Sequence, residues 1–559
     1  MSSTGGGLNL IRRGNNNVFL TGNPNKSFFK VTYLKYTDFG LQKFRIDYDG
    51  LRTLRLSEPS TFRFKVPRNA DLLMDTYLVV NLPDIWSPIY GPSEKTGNQW
   101  APYEFRWIHD IGLQMVQEIE ITCGSQTIQK YSGDYLSAVI QRDFSAVKKD
   151  LYNRMSGNVA EVVDPANANG RSNVYPSAYY STVVAGAEPS IRGRTLFVPI
   201  NCWFGLNSFC AFPLVALQYN ELYINVTLRP IQELFAVRDV WDPANYFPYV
   251  QPDFTQPQFA MYRFLQTPPD ITLAPSQYEN QTTTWNADVH LISTYAFLSN
   301  EERTKFARED QIYLIKDIYS YTFENVAGSN RVQLMSNGMV ADWLFYFQRN
   351  DVNMRNEWSN YTNWPYLNSQ PGKVVSAPEI DPNSPFQVPT LDIANAGPGL
   401  NPSGANTGIY ITGNFNTDNQ RDILQTLAIV LDGSYRENTQ VRGIYDYIEK
   451  YTRTSGSAPD GLYCYQFCLD TDPARYQPSG AMNVSNFRVI EFEFTTYLPT
   501  IDTANSPFTI FCNAEGNPIG ISKQNWKLYN YNYNLVVHEE RYNILSIIGG
   551  NTGLLYARG

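Results

Sequence analysis

The sequence predicts an all-β chain built as two tandem β-sandwiches. Three observations carry that expectation: short segments of alternating apolar and polar residues, turn-forming glycines and prolines scattered along the whole length, and a strand–turn–helix block that occurs once in each half. At 559 residues the chain exceeds the ~250–300 residues at which one hydrophobic core stops growing, so more than one domain is required. Hydrophobic residues make up 43%, enough to fill such cores, while charged residues reach only 17%. The 39 tyrosines and 31 phenylalanines favour pleated, half-buried strands over long helices or disorder.

Alternation is clearest in three places. In Thr61 to Val66, Phe62, Phe64 and Val66 point one way and Arg63 and Lys65 the other. In Glu221 to Leu228, Leu222, Ile224, Val226 and Leu228 alternate with Tyr223, Asn225 and Thr227. In Val489 to Phe494, Ile490, Phe492 and Phe494 alternate with Glu491 and Glu493. Period two over five to seven residues means a strand with one face buried. Further strands are expected near 27–33, 74–82, 115–123, 194–200, 257–264, 288–298, 312–323, 343–348, 461–469 and 533–548. Helical spacing is rarer. Leu136, Ile140, Phe144, Val147 and Leu151 predict an amphipathic helix within 133–155, and Val441, Ile444, Tyr445 and Ile448 a shorter one.

Each helix follows an alternating strand and a glycine turn, Met115 to Ser125 in one case and Ile423 to Ser434 in the other. A second echo relates Phe212 to Leu228 with Gln477 to Phe494, each a proline, then an asparagine seven or eight residues on, then a strand. The order is the same in both halves, which points to tandem duplication of one sandwich. The halves join near 229–258, a stretch carrying Pro230, Pro243, Pro248, Pro252 and Pro257. Residues 350–420 are rich in Asn, Pro, Gly and Ser without sustained periodicity and read as a long functional loop, with shorter excursions at 83–104 and 158–192.

The search for chemistry excludes more than it finds. His109, His290 and His538 are the three histidines, and none forms a pair with metal-ligand spacing. His538, followed by Glu539 and Glu540, reads as a solvated strand end. No nucleophile elbow, phosphate-binding loop or dinucleotide fingerprint is present. Asp47-Tyr48-Asp49-Gly50 and Asp470-Thr471-Asp472 read as turns rather than as cation or nucleotide sites. The six cysteines are too few for a disulfide scaffold; Cys464 and Cys468 read as buried thiols on one strand face. No catalytic, cofactor-binding or metal-binding residue is assigned, and the chain is not expected to be an enzyme. With net charge −9 and no basic run beyond Arg12-Arg13 and Lys148-Lys149, direct nucleic-acid binding is not expected. The N-terminal residues lack a signal-peptide core, and no apolar stretch spans a membrane, so a soluble cytoplasmic product is expected. Of the Asn-x-Ser/Thr acceptors at Asn25, Asn225, Asn280, Asn360 and Asn483, Asn360 and Asn280 are the candidate glycosylation positions.

Several motifs taken together are similar to one family. Thr21-Gly22-Asn23-Pro24, Phe28-Phe29-Lys30 and Tyr36-Thr37-Asp38-Phe39 resemble the opening of major capsid proteins of nucleocytoplasmic large DNA viruses, with Asp38 where Asn is usual. Pro213 to Leu222 resembles that family's Pro-Leu-Ile-Ala-Leu-Gln-Tyr-His-Glu strand, with Asn220 in the His position. Glu301 to Glu309 followed by Tyr313 to Ile315, Ala474 to Phe487, and Tyr542 to Ala557 resemble its later segments, in order. The phycodnavirus and mimivirus-like groups are the nearest in kind.

The resemblance implies a double jelly roll: two tandem eight-stranded jelly-roll sandwiches with long loops and a few short helices. It implies an arm over 1–26, a first jelly roll over 27–235, a linker over 236–256, and a second jelly roll over 257–559 with a loop insertion near 350–420. It further implies a homotrimer, contacts with neighbouring capsomers, minor capsid and penton proteins and the inner membrane layer, and residence in the virion shell after synthesis in the host cytoplasm. Within the arm, Leu8, Leu10, Ile11, Arg12 and Arg13 are the candidate assembly residues. A lectin-like jelly roll and a β-sandwich glycoside hydrolase are the alternatives, and neither accounts for an ordered match from end to end.

Overall fold

The computed structural model describes residues 7–11, 14–48, 50, 53–178, 188–243, 247–268, 274, 277–367, 397–400, 406–411, 420–499, 509–512, 518–522 and 531–556. Sixteen strands among them build two sandwiches. The first uses β1 (Phe39–Asp47), β2 (Ser60–Lys65), β3 (Leu72–Leu82), β4 (Val116–Cys123), β5 (Gln126–Tyr131), β6 (Arg194–Pro199), β7 (Leu222–Leu228) and β8 (His290–Leu298). The second uses β9 (Gln311–Val326), β10 (Ser329–Gln333), β11 (Met339–Arg349), β12 (Leu424–Leu431), β13 (Ser434–Val441), β14 (Leu462–Gln466), β15 (Ile490–Thr496) and β16 (Tyr533–Ile548). The sheets of the first run β1-β8-β3-β6 and β2-β7-β4-β5; those of the second run β9-β16-β11-β14 and β10-β15-β12-β13. Adding eight to each strand number converts one sandwich into the other. All these pairings are antiparallel, and the order is that of a jelly roll.

The alternation seen in the sequence is the burial pattern of these strands. Phe62 and Phe64 of β2 lie opposite Val226 and Ile224 of β7, which in turn face Ile119 and Ile121 of β4, all buried. Phe492 and Phe494 of β15 stand opposite Ile429 and Leu427 of β12 in the same way. The duplicated block is also visible in its turns. Gly124 turns β4 into β5 at φ 62°, and Asp432-Gly433, at φ 47° and 80°, turn β12 into β13. Both residues of the second pair have the positive φ of a type I′ hairpin, which its right-handed twist favours.

The expected helix over 133–155 is two helices, α1 (Gly133–Asp143) and α2 (Ala146–Ser156). Phe144 is extended between them, and Ser145 caps α2 by accepting from the Lys148 amide. The second block ends in a π turn (Ile444–Ile448) running into α4 (Glu449–Arg453). The helix α3 (Asn300–Arg308), capped by Ser299, escapes the periodicity reading because it buries no residue.

Four expectations are corrected. Residues 27–33 form no strand and are exposed throughout. Residues 257–264 form two 3-10 turns, Pro257–Phe259 and Met261–Arg263, whose apolar side chains pack into the first core. The linker expected at 236–256 is structured: Phe235–Arg238 pairs with both Phe105–Trp107 and Tyr249–Val250, and Val237, Val240 and Val250 are buried. Moreover β8, placed by the sequence in the second half, lies between β1 and β3 of the first. Strand pairing therefore puts the change from one sandwich to the next after Leu298, at α3. Prolines marked the stretch as a linker because local sequence cannot show that its apolar residues return to the first core.

The two faces of one strand give opposite predictions. Phe492 meets the rings of Trp343 and Phe345 edge-on at 5.2 and 5.5 Å, so Phe492→Ala is expected to cost about 3–5 kcal/mol in a denaturant melt. Arg331 pairs with Glu491 and Glu493 on the solvent side, and Arg331→Ala should cost about 1 kcal/mol or less.

Candidate functional site

The two sandwiches meet along a seam whose centre is a buried ion cluster. Arg142, at the end of α1, has no solvent exposure. Its Nη1 donates to Asp342 Oδ1 of β11 at 2.8 Å, its Nη2 to Glu540 Oε1 of β16 at 2.8 Å, and its Nε to Asp143 Oδ2 at 2.9 Å. Lys316 of β9 donates to the other oxygen of Glu540 at 2.7 Å, and the Tyr135 hydroxyl of α1 donates to Oε1 at 3.1 Å. Around this centre Gln129 Nε2 donates to the Lys316 carbonyl at 2.8 Å, the Gly456 amide to the Arg142 carbonyl at 2.8 Å, and Lys149 Nζ to the Ser457 carbonyl at 3.0 Å. The Thr471 hydroxyl donates to Asp143. These contacts join the first sandwich to the second.

Three carboxylates share two cations here, leaving one negative charge in excess. Asp342 carries the strain: its Oδ2 is buried without a hydrogen-bond partner among the described residues. Burial, reinforced by Glu540, pushes the Asp342 carboxyl up to about 7 against the pull of Arg142. Burial works against ionised Glu540 as well, but Lys316 and Arg142 together hold it well below the usual carboxylate range.

The triplet His538-Glu539-Glu540 is corrected by this geometry. It lies within β16, not at a solvated strand end, and all three residues are buried. His538 faces the Tyr135 and Tyr346 rings, with Nδ1 at 2.8 Å from Ser320 Oγ; burial lowers its pKa to about 4 and keeps it neutral. Glu539 points to the opposite face, accepting from Ser336 Oγ and Trp343 Nε1 at 2.6 Å each and pairing with Arg541. Sequence reading missed Glu540 because its partner Arg142 is 398 residues away.

Apolar contacts extend the seam. Ile315, Ile318, Leu344, Tyr346, Leu545 and Ile547 belong to the first sandwich's hydrophobic cluster, although they come from β9, β11 and β16. Strands β11 and β14 of this sheet are thus buried on both faces, which is why Trp343 to Phe347 is continuously apolar. In the corresponding sheet of the first sandwich the edge strands are exposed, Phe39 and Leu41 of β1 at 53% and 55% and Phe197 of β6 at 39%, while Leu72 and Ala296 of the central strands pack against Phe306 of α3. The side that the first sandwich offers to the seam, β5 with α1, has its counterpart in β13 with residues 444–453. That side is open too, with Tyr435, Val441, Tyr447, Ile448 and Tyr451 at least half exposed.

A second docking device lies at the base of the long loop. Asp351 binds the buried guanidiniums of Arg349 and Arg355 at 2.6 and 2.8 Å, Asn356 Nδ2 donates to the carbonyls of Gln232 and Phe235, and Arg106 pairs with Glu357 at 2.7 Å. Asn360 belongs to this base. It is 3% exposed, its Oδ1 accepts from Thr362 and its Nδ2 donates to the Trp364 carbonyl, so a glycan has no room there and that expectation is corrected. Loop composition suggested an exposed residue, but 351–367 pack against the body; most of 368–419 lies outside the described residues. Asn280 is exposed, its Oδ1 accepting from the Thr282 amide.

The remaining candidates fall elsewhere. Leu8, Leu10 and Ile11 lie on a single turn, Leu8–Ile11, with Leu10 and Ile11 exposed; the Leu8 side chain and Arg12 and Arg13 lie outside the described residues. Cys123, Cys202, Cys210, Cys464 and Cys468 are free and buried, and burial raises the Cys464 and Cys468 thiols to about 12 and about 11. Cys468 follows β14 rather than sharing it with Cys464. Among the described residues no group of three or more His, Cys, Asp or Glu could hold a metal.

Truncating Arg142 to Ala leaves buried carboxylates unpaired and should cost about 3–5 kcal/mol. Asp342 gives the seam a pH signature. Its folded pKa lies above the ordinary value of about 3.9, so its contribution is fully present below that value and is lost as pH rises through about 7. Thermal melts between pH 5 and pH 8 should show Asp342→Asn flattening this decline, by an amount on the order of 2 kcal/mol.

Comparison with known proteins follows the same division. The family model for the "Major capsid protein N-terminus" matches residues 27–263, and that for the "Large eukaryotic DNA virus major capsid protein" matches 302–553. The major capsid protein of Phaeocystis pouchetii virus is 25% identical over 99% of both chains, and that of Chrysochromulina ericina virus 26% identical over 99% of this chain and 100% of its own. Among solved structures, the quasi-atomic model of the PBCV-1 virus capsid matches with a TM-score of 0.59 at 20% identity, covering 95% of this chain and all of that one. The Faustovirus major capsid protein matches at 0.57 and 13% identity, covering 93% and 92%. The chain belongs to the major capsid proteins of large eukaryotic DNA viruses.

Proposed function

We propose that this chain is a non-enzymatic shell subunit that forms homotrimeric, pseudo-hexagonal capsomers tiling the icosahedral capsid of a large double-stranded DNA virus. The observation that carries the reading is the half-used seam. Within the chain, the β5–α1 side of one sandwich docks on the outer face of the other's four-stranded sheet. This contact is heterologous, since the two surfaces differ. The chain therefore keeps one unused surface of each kind: the β13 side of the second sandwich and the β1-β8-β3-β6 face of the first. Repeating the contact between chains covers both, and a head-to-tail contact that turns the right way closes into a ring. Six sandwiches from three chains complete such a ring with a near-sixfold outline, a shape suited to tiling flat facets.

In this reading the trimers meet neighbouring capsomers, minor capsid and penton proteins and the inner membrane layer, and the arm over 1–26 serves those contacts. The net charge of −9 agrees with a role that does not include gripping the genome directly. The protein is made late in the host cytoplasm and resides in the virion. Within 350–420, the part beyond the packed base at 351–367 supplies the outward loops, and Asn280 is the acceptor position available to a glycan. Native mass spectrometry tests the ring. The chain should run as a trimer, and both Tyr447→Asp on one open side and Leu41→Asp on the other should shift it to monomer without lowering its melting temperature by more than a few degrees. Either variant remaining fully trimeric contradicts the assignment of these surfaces.

A further inference from the structure

The segment leading into β1 combines three properties that point to a partner. Its large apolar side chains stand in water: Phe28, Phe29, Val31, Tyr33, Leu34 and Tyr36 are 84–100% exposed. The hydrogen bonds described over residues 14–37 stay within that stretch, as between Phe29 and Ser27 or Thr21 and Asn17. Second, its charge is one-sided. Residues 1–37 hold Arg12, Arg13, Lys26, Lys30 and Lys35 and no acid, which leaves 39 basic against 53 acidic residues in the rest of the chain, a net −14. Third, the sequence has strand character. In an extended chain Phe29, Val31 and Tyr33 share one side, which ends in Lys35, and Lys30 and Thr32 lie on the other between Phe28 and Leu34, and the segment continues directly into β1, which pairs with β8 along one edge only.

We propose that residues 27–37 are a donor strand for a second copy of this chain: they add to an open sheet edge on that acidic copy, burying Phe29, Val31 and Tyr33, with Lys30 on the outer side and Lys35 beyond the buried row set against its carboxylates. The inference rests on the shell-subunit reading and gives the arm its partner and its chemistry. Main-chain pairing supplies affinity in such an addition, and alternate side chains supply specificity. A cationic, aromatic segment would also be drawn to an anionic bilayer, but the remainder of the chain, at −14, is repelled by such a surface. An acidic copy of the same protein has no such conflict.

The test uses the full chain, with its oligomeric state read by native mass spectrometry, and a fluorescent peptide of residues 24–38. The peptide should bind the chain saturably and gain amide-exchange protection over 28–34. Binding should weaken about tenfold or more between about 50 and about 500 mM salt, and Lys30→Glu with Lys35→Glu in the peptide should weaken it to a similar degree. Absent or salt-insensitive binding overturns the donor strand, as does tighter binding to phosphatidylserine vesicles than to the chain. A trimeric chain that ignores the peptide removes this inference alone; a monomeric chain that binds it upholds the donor strand and removes the ring.

Discussion

A guanidinium sealed from water governs how the two halves of this molecule meet. Burying Arg142 is costly unless every donor finds an acceptor. Its acceptors come from α1 itself, from β11 and from β16, so they converge only when the sandwiches sit in one register. Apolar packing along the seam supplies attraction but little direction. The ion cluster supplies the direction, and Lys316 and Tyr135 complete the coordination of Glu540. The cluster carries one carboxylate too many, and the buried, unpartnered Oδ2 of Asp342 is where that excess is felt.

From this fixed register the rest of the architecture follows. Because the first sandwich occupies the outer face of β9-β16-β11-β14, the central strands of that sheet are covered on both sides, while its duplicate in the first sandwich keeps exposed apolar residues along both edges. Counting from Gly133 and Gly443, Tyr445 stands where Tyr135 does, and Thr452 where Arg142 does. The open side thus lacks a buried guanidinium and presents Tyr447, Ile448 and Tyr451 instead. That difference suits the division of labour. A contact made once, as the chain folds, can hold a charge permanently out of water; a contact made later, between separate chains, is better served by aromatic and aliphatic surface that was stable in solvent beforehand.

How far the fold was legible in the sequence depended on where each residue's partners lie. Strands with one wet face, such as β2, β7 and β15, declared themselves through alternation, and the duplicated strand–turn–helix block revealed the tandem repeat. The family motifs then supplied the jelly-roll topology. What failed was non-local. His538, Glu539 and Glu540 read as solvated because charges normally seek water, and the cations that hold Glu540 in the interior, Arg142 and Lys316, are far away in sequence. Residues 236–256 read as a linker because prolines interrupt them, although their apolar side chains return to the first core. β8 was seen as a strand but assigned to the wrong half, since the last strand of a jelly roll inserts between the first and third. α3 has no apolar stripe to detect. Asn360 shows the converse error: loop-like composition concealed a buried, hydrogen-bonded amide.

The central claim is that one heterologous seam is used twice, once within the chain and once between chains. An electron cryo-microscopy reconstruction of the purified protein tests it most directly. The account predicts a closed ring of six sandwiches in which the β13 side of each chain sits on the β1-β8-β3-β6 face of the next, with the inter-chain pair superposing on the intra-chain pair. An isolated two-lobed monomer, or a two-fold dimer joined through like surfaces, would contradict it.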